Sequence, residues 1–152
     1  MIINPVKKFL MLSVFVLGGV VVANAQMDDG SRIQANVPFD FTVSETRLPA
    51  GKYEIRRLDD ELSNILELRS ANGRTTVAFA AEDAKRRDDQ IASKTELVFD
   101  KVGDQYFLSQ VWVAGSASGS ELPKSRLQKR LDTDGSQSEK HSVVGFMKRS
   151  KP

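Results

Sequence analysis

Few side chains of this 152-residue sequence could do chemistry, and the first to weigh are three carboxylates on predicted strands. Glu54, Glu67 and Glu96 are the raw material of a glycosidase, which needs two carboxyl groups converging on one bond. No spacing pairs them, and each falls where its strand is expected to face water, so the sequence predicts surface acids and no catalytic site. The chain has no cysteine and one histidine, His141. Thiol catalysis, thiolate metal sites and His-rich zinc sites are thereby excluded. Two oxygen-rich runs, Asp59-Asp60-Glu61 and Asp132-Thr133-Asp134-Gly135-Ser136, invite comparison with calcium loops. Placing Gly135 at the glycine position of an EF-hand puts Arg130 where the first ligand belongs and His141 where the bidentate glutamate belongs, so no metal is predicted. No cofactor is predicted either.

Two surfaces remain for binding. Tyr106, Leu108 and Trp112 share one face of a strand by simple alternation and are the candidate ligand or partner surface, since both rings offer a flat face and a polar tip. Lys124, Arg126, Lys129 and Arg130 form the candidate surface for an anionic partner. A further run, Lys85-Arg86-Arg87, lacks the interleaved aromatics that a single-strand nucleic-acid binder needs for stacking.

These residues must be positioned by strands. Ile33, Ala35, Val37, Phe39, Phe41 and Val43 alternate with polar residues over a first strand, which Pro38 places at a sheet edge or at a bulge because it has no N–H to give a ladder. Leu48-Pro49-Ala50-Gly51 turns the chain into a second strand with Tyr53 and Ile55 inward. A third strand covers Ile65 to Arg69 and a fourth Thr75 to Ala80, joined by Asn72-Gly73, the dipeptide preferred in type I′ turns. Ala81 to Gln90 is a mixed-charge stretch with no apolar period and reads as a solvated loop. A fifth strand, Thr95 to Lys101, turns at Gly103-Asp104 into a sixth, Gln105 to Ala114, which is apolar on both faces. Gly115 to Ser120 reads as a linker. Leu127 and Leu131, four apart among cations, predict one or two turns of basic helix that cover an open end of the sheet. The fold class is all-β, about six antiparallel strands as a small barrel or a sandwich, with a short C-terminal basic helix.

The domain organisation follows. Residues 1–25 read as a signal peptide: Lys7 and Lys8 precede an apolar run from Phe9 to Val22, and Ala23-Asn24-Ala25 is an A-x-A cleavage site. As a helix the run would span about 21 Å, short of a hydrocarbon core of roughly 30 Å. Residues 26–32 read as a flexible lead, 33–131 as the β domain and 132–152 as a polar, mobile tail. Without Lys7 and Lys8 the chain carries 20 basic and 20 acidic residues, a balance that disfavours nucleic acid as the partner.

Val37-Pro38-Phe39-Asp40-Phe41, Leu48-Pro49-Ala50-Gly51-Lys52-Tyr53, Gly103-Asp104-Gln105-Tyr106-Phe107-Leu108 and Glu121-Leu122-Pro123-Lys124-Ser125, in that order, resemble a family of short exported bacterial proteins of unassigned function. The resemblance runs from Ile33 to Leu131 and implies an exported β-rich domain with nothing catalytic. The expected protein is periplasmic or extracellular, non-enzymatic, and a binding or structural component of the bacterial cell envelope. Its partner would be an envelope protein, a polysaccharide or a small apolar ligand. The alternatives are a small barrel that carries an apolar ligand, which a large internal cavity would favour, and a carbohydrate-active enzyme, which two convergent carboxylates would favour.

Overall fold

The computed structural model describes residues 31–58, 64–86 and 90–149, so the signal-peptide reading and the Asp59-Asp60-Glu61 run lie outside the described residues. The described chain forms β1 (Ser31–Val37), β2 (Phe41–Val43), β3 (Thr46–Leu48), β4 (Gly51–Arg57), β5 (Ile65–Ser70), β6 (Thr76–Ala80), β7 (Glu82–Lys85), β8 (Glu96–Val102), β9 (Gln105–Trp112), β10 (Ser118–Glu121), helix α1 (Arg126–Thr133) and β11 (Ser138–Arg149). The fold is all-β with one short helix near the C-terminus. Its strands follow one another as β3-β2-β9-β8-β11-β1-β4-β5-β6, and β10 pairs with both β9 and β7. Because β6 runs through Ala81 into β7, that last pairing brings the sheet nearly full circle into a barrel.

The barrel is filled, not hollow. Ile33, Ile55, Leu66, Leu68, Leu97 and Val43 are at most 1% exposed. Phe41 packs edge-on against Tyr53 and Phe99 at centroid distances of 5.1 and 5.4 Å, an arrangement that suits the ring quadrupoles. Full burial of such side chains is worth about 1.5–3 kcal/mol each, which is how a chain without disulfides holds its core.

Several sequence expectations are corrected. The predicted first strand is two strands: β1 ends at Val37, the chain leaves the ladder at Pro38, and β2 resumes at Phe41 beside β9. β1 is flanked on both sides, by β11 and β4, so it is no edge, and of the two places Pro38 allowed the structure takes an interruption of the ladder. Its ladder begins at Ser31, opposite Arg149, which shortens the expected lead.

The expected mobile tail is the second correction, and the largest. Residues 138–149 form β11, whose first half pairs with β8 and whose second half pairs with β1. The changeover comes at Gly145, where a Cβ would lie 2.9 Å from Ile33 Cγ2 and 3.2 Å from the Gln34 carbonyl oxygen, so only glycine permits that close approach.

The predicted loop and linker, third, contain β7 and β10, which pair with each other. Their side chains are short or charged, so backbone hydrogen bonds hold them and no apolar alternation betrays them. Lastly, α1 does not seat itself on Leu127 and Leu131, which are half-buried; its buried residue is Gln128.

The turns follow local chemistry. Gly103 (φ 59°) takes the first position of the two-residue β8–β9 turn, as type II′ geometry requires. At the β5–β6 hairpin Gly73 has φ 69° while Asn72 does not adopt a positive φ, so the turn is not type I′. Asn72 Oδ1 instead accepts from Arg74 N at 3.0 Å and from Ser70 Oγ at 2.7 Å.

Candidate functional site

A single inserted residue decides where the aromatic candidates go. In the β8–β9 ladder Val98 faces Gln110 but Phe99 faces Leu108, which leaves Ser109 as an extra residue in β9. Such a bulge reverses the alternation beyond it. Ser109 anchors the bulge by donating to the Val98 carbonyl at 3.1 Å. Tyr106 and Leu108 therefore join the barrel interior, while Trp112 turns to the outer side and packs with Ala84, Ala92 and Val98. The expected Tyr106, Leu108 and Trp112 face does not exist as one surface.

Trp112 is 4% exposed. Its Nε1 donates to Gln110 Oε1 at 3.1 Å, and the Arg86 guanidinium lies 4.7 Å from its ring centre, a cation–π contact. Gly119 of β10 leaves room for the ring. Tyr106, by contrast, sits at one end of the barrel, stacked on Phe39 at 3.8 Å, with His141 edge-on at 5.4 Å and Lys101 Nζ 5.7 Å from its ring centre. Phe39 meets Phe99 edge-on at 5.2 Å. A hollow of about 140 Å³ opens beside this stack, lined in part by Phe39, Phe41, Asp40, Arg47 and Tyr106. Asp40 is already engaged there, by Ala50 N at 3.0 Å and Arg47 at 3.4 Å.

The carboxylates are each held by their own cations. Glu54 pairs with Arg32 at 3.5 Å and accepts from Gln34 at 2.5 Å; Glu67 pairs with Arg56 at 2.8 Å. Glu96, expected at the surface, is 6% exposed and lies between Arg86 (2.7 Å) and Lys94 (3.1 Å). Burial works to raise its pKa, yet the two cations and a hydrogen bond with Ser142 outweigh burial and lower it. Among the described residues no group of three or more His, Cys, Asp or Glu could hold a metal ion, and Asp134 and Gly135 serve as the end of α1.

Of the basic candidates, Lys124 is drawn to Asp132 at 2.6 Å, whereas Arg126, Lys129 and Arg130 are exposed along α1. The helix is pinned by polar contacts. Ser125 Oγ caps it by accepting from Gln128 N at 3.1 Å, Glu45 reaches across to accept from Arg126 N at 3.0 Å, and Gln128 Nε2 donates to Asp100 Oδ2 at 2.8 Å. Asp100, 4% exposed, also has the Lys140 ammonium 2.5 Å from its Oδ1, an ion pair that falls outside hydrogen-bonding geometry. The acid on the outer face of β8 explains why the buried residue of α1 is an amide donor and not a leucine.

Sequence reasoning misses one surface. On β11 Val144 is 49% exposed and Phe146 is 71% exposed, outward-facing neighbours two residues apart. Val143-Val144-Gly145-Phe146-Met147 is an apolar run in the sequence, but its alternation of inward and outward positions has meaning only once β11 lies in the sheet. No helix among the described residues is long and apolar enough to cross a membrane. Comparison with protein-family models, with curated proteins and with solved structures found no match.

Proposed function

We propose that this chain is an exported, non-enzymatic protein of the bacterial cell envelope that acts through its outer surface, as a binding or structural component. The observation that carries the reading is a contrast between inside and outside. The barrel interior is packed with Ile33, Ile55, Leu68, Leu97, Phe41 and Phe99, while Val144 and Phe146 stand out together as an exposed apolar pair on β11 with room for a partner; the other exposed large apolar side chains among the described residues, Ile65 and Ile91, lie on other segments. The N-terminal pattern around Lys7, Lys8 and Ala23-Asn24-Ala25 supports export. Against catalysis stands the pairing of Glu54, Glu67 and Glu96 with Arg32, Arg56, Arg86 and Lys94, since carboxylates neutralised one by one are poor acid–base partners.

A second reading keeps an apolar ligand. Its support is the hollow beside Phe39 and Tyr106, about 140 Å³, which is small beside ordinary ligand pockets of roughly 300–1,000 Å³. Native mass spectrometry of the protein purified from the envelope fraction of an expressing bacterium separates the two. A bare chain beginning at Gln26 is the expected result. A reproducible adduct of discrete mass would replace the envelope-component reading with a carrier, and an unprocessed chain recovered from the cytoplasm would remove export.

A further inference from the structure

Around Phe146 the outward face of β11, β1, β4 and β5 is basic, and its register sets like charges side by side. Lys148 lies opposite Arg32, and Arg32 lies opposite Arg56. Directly opposed like charges destabilise a sheet, so this row works against the fold that carries it. Glu54 and Glu67 offset part of the repulsion through Arg32 and Arg56. Lys52, Arg69 and Lys148, on the same face, have no carboxylate within ion-pair distance among the described residues. The next row places Phe146 opposite Gln34, beside these cations, with Val144 two residues before it.

We propose that this face docks on an anionic phospholipid surface, with Phe146 and Val144 entering the headgroup boundary while Arg32, Lys52, Arg69 and Lys148 meet the lipid phosphates. The inference deepens the envelope reading and rests on it. Charge complementarity selects the partner: the face is cationic and needs a polyanion. A second copy of the chain is disfavoured, because a two-fold contact through this face would set its cations against themselves. An acidic polysaccharide would satisfy the cations, but it offers no apolar phase for a phenyl ring that is 71% exposed. A bilayer interface offers both, and amphipathic surfaces with basic and apolar residues bind there by summing the two contributions.

The test is flotation of the purified protein, as the expressing cell produces it, with phosphatidylcholine vesicles that either contain or lack phosphatidylglycerol. Binding is expected with phosphatidylglycerol only, and it should fall as salt is raised. Lys52→Ser and Lys148→Ser should each weaken it about fivefold, the effect of losing one cation near an anionic surface. Phe146→Ser should weaken it roughly tenfold or more, because the ring no longer leaves water. Lys85→Ser, on β7 and exposed away from this face, should leave it unchanged. Circular dichroism confirms that each variant is folded.

Absence of binding to the anionic vesicles would overturn the proposal, as would a loss shared equally by Lys85→Ser and Lys148→Ser. Binding unaffected by Phe146→Ser, or a dimer in solution that Phe146→Ser dissolves, would also overturn it, in favour of a polyanion or a second copy respectively. Fractionation of the expressing cells keeps the two readings distinct: a processed chain in the envelope fraction that ignores vesicles sinks the lipid proposal alone.

Discussion

Replacing Gly119 by alanine should destabilise the protein although the substitution is favourable on backbone grounds. Gly119 lies inside β10 and does not have a positive φ, so alanine there would gain about 0.5–1 kcal/mol if the site were open. It is not open. The new Cβ would stand 2.6, 2.8 and 2.9 Å from Cε3, Cδ2 and Cζ3 of Trp112, inside the roughly 3.5–4.0 Å at which carbon atoms attract. The ring has little freedom to retreat, being 4% exposed, hydrogen-bonded to Gln110 and covered by Arg86. Overpacking of this kind costs about 1–3 kcal/mol.

Urea unfolding followed by circular dichroism and by the fluorescence of Trp112, the sole tryptophan, would measure the loss. The decisive comparison is the same substitution in a Trp112→Leu background, where the clash is gone and alanine should cost nothing or stabilise by up to about 1 kcal/mol. If Gly119→Ala stays within about 0.5 kcal/mol of the parent, or costs the same in both backgrounds, the packing account of Trp112 is wrong.

Three other outcomes are expected. Lys140→Met should cost about 1–3 kcal/mol, well above an ordinary surface lysine, because it strands the buried Asp100 carboxylate; adding Asp100→Asn should recover most of the loss, read by urea denaturation. The folded-state pKa of Glu96 lies below its usual 4.5, so its stabilising contribution is complete above that value and disappears as pH falls through the lowered folded value. Thermal midpoints measured across the acid range should therefore fall more steeply for the parent than for Glu96→Gln. Ending the chain before Ser138 removes the strand between β8 and β1, and circular dichroism melting should then show no cooperative transition; a cooperative melt like the parent's would refute the central place of β11.

Much of the fold was legible because it rests on local rules. Alternation places Ile33, Ala35, Val37, Tyr53 and Ile55 on strands from the sequence alone, since a half-buried strand must change face at every residue. Turn chemistry marked Gly73 and Gly103 for the same reason: their backbones reach a region that side chains resist. The all-β class follows from those signals, and the basic helix from the four-residue spacing of Leu127 and Leu131.

The candidate site was less legible. The Tyr106, Leu108 and Trp112 face failed at Ser109, because a bulge is a two-chain property and one strand's sequence does not reveal which residue its partner will skip. Glu96 failed similarly, its surface position withdrawn by Arg86, from the stretch read as a solvated loop, and by Lys94.

By itself, the sequence determined the β-rich class, the inward residues of most strands and the absence of thiol chemistry, all of them consequences of residue type and near-neighbour spacing. Tertiary structure alone decided that residues 138–149 join β8 to β1, that β7 and β10 close the ring, and that Phe146 stands outward beside Lys148 and Arg32. Those pairings are made by backbone groups far apart in the chain, and backbone hydrogen bonds, being the same for every residue, leave almost no mark on the sequence that makes them.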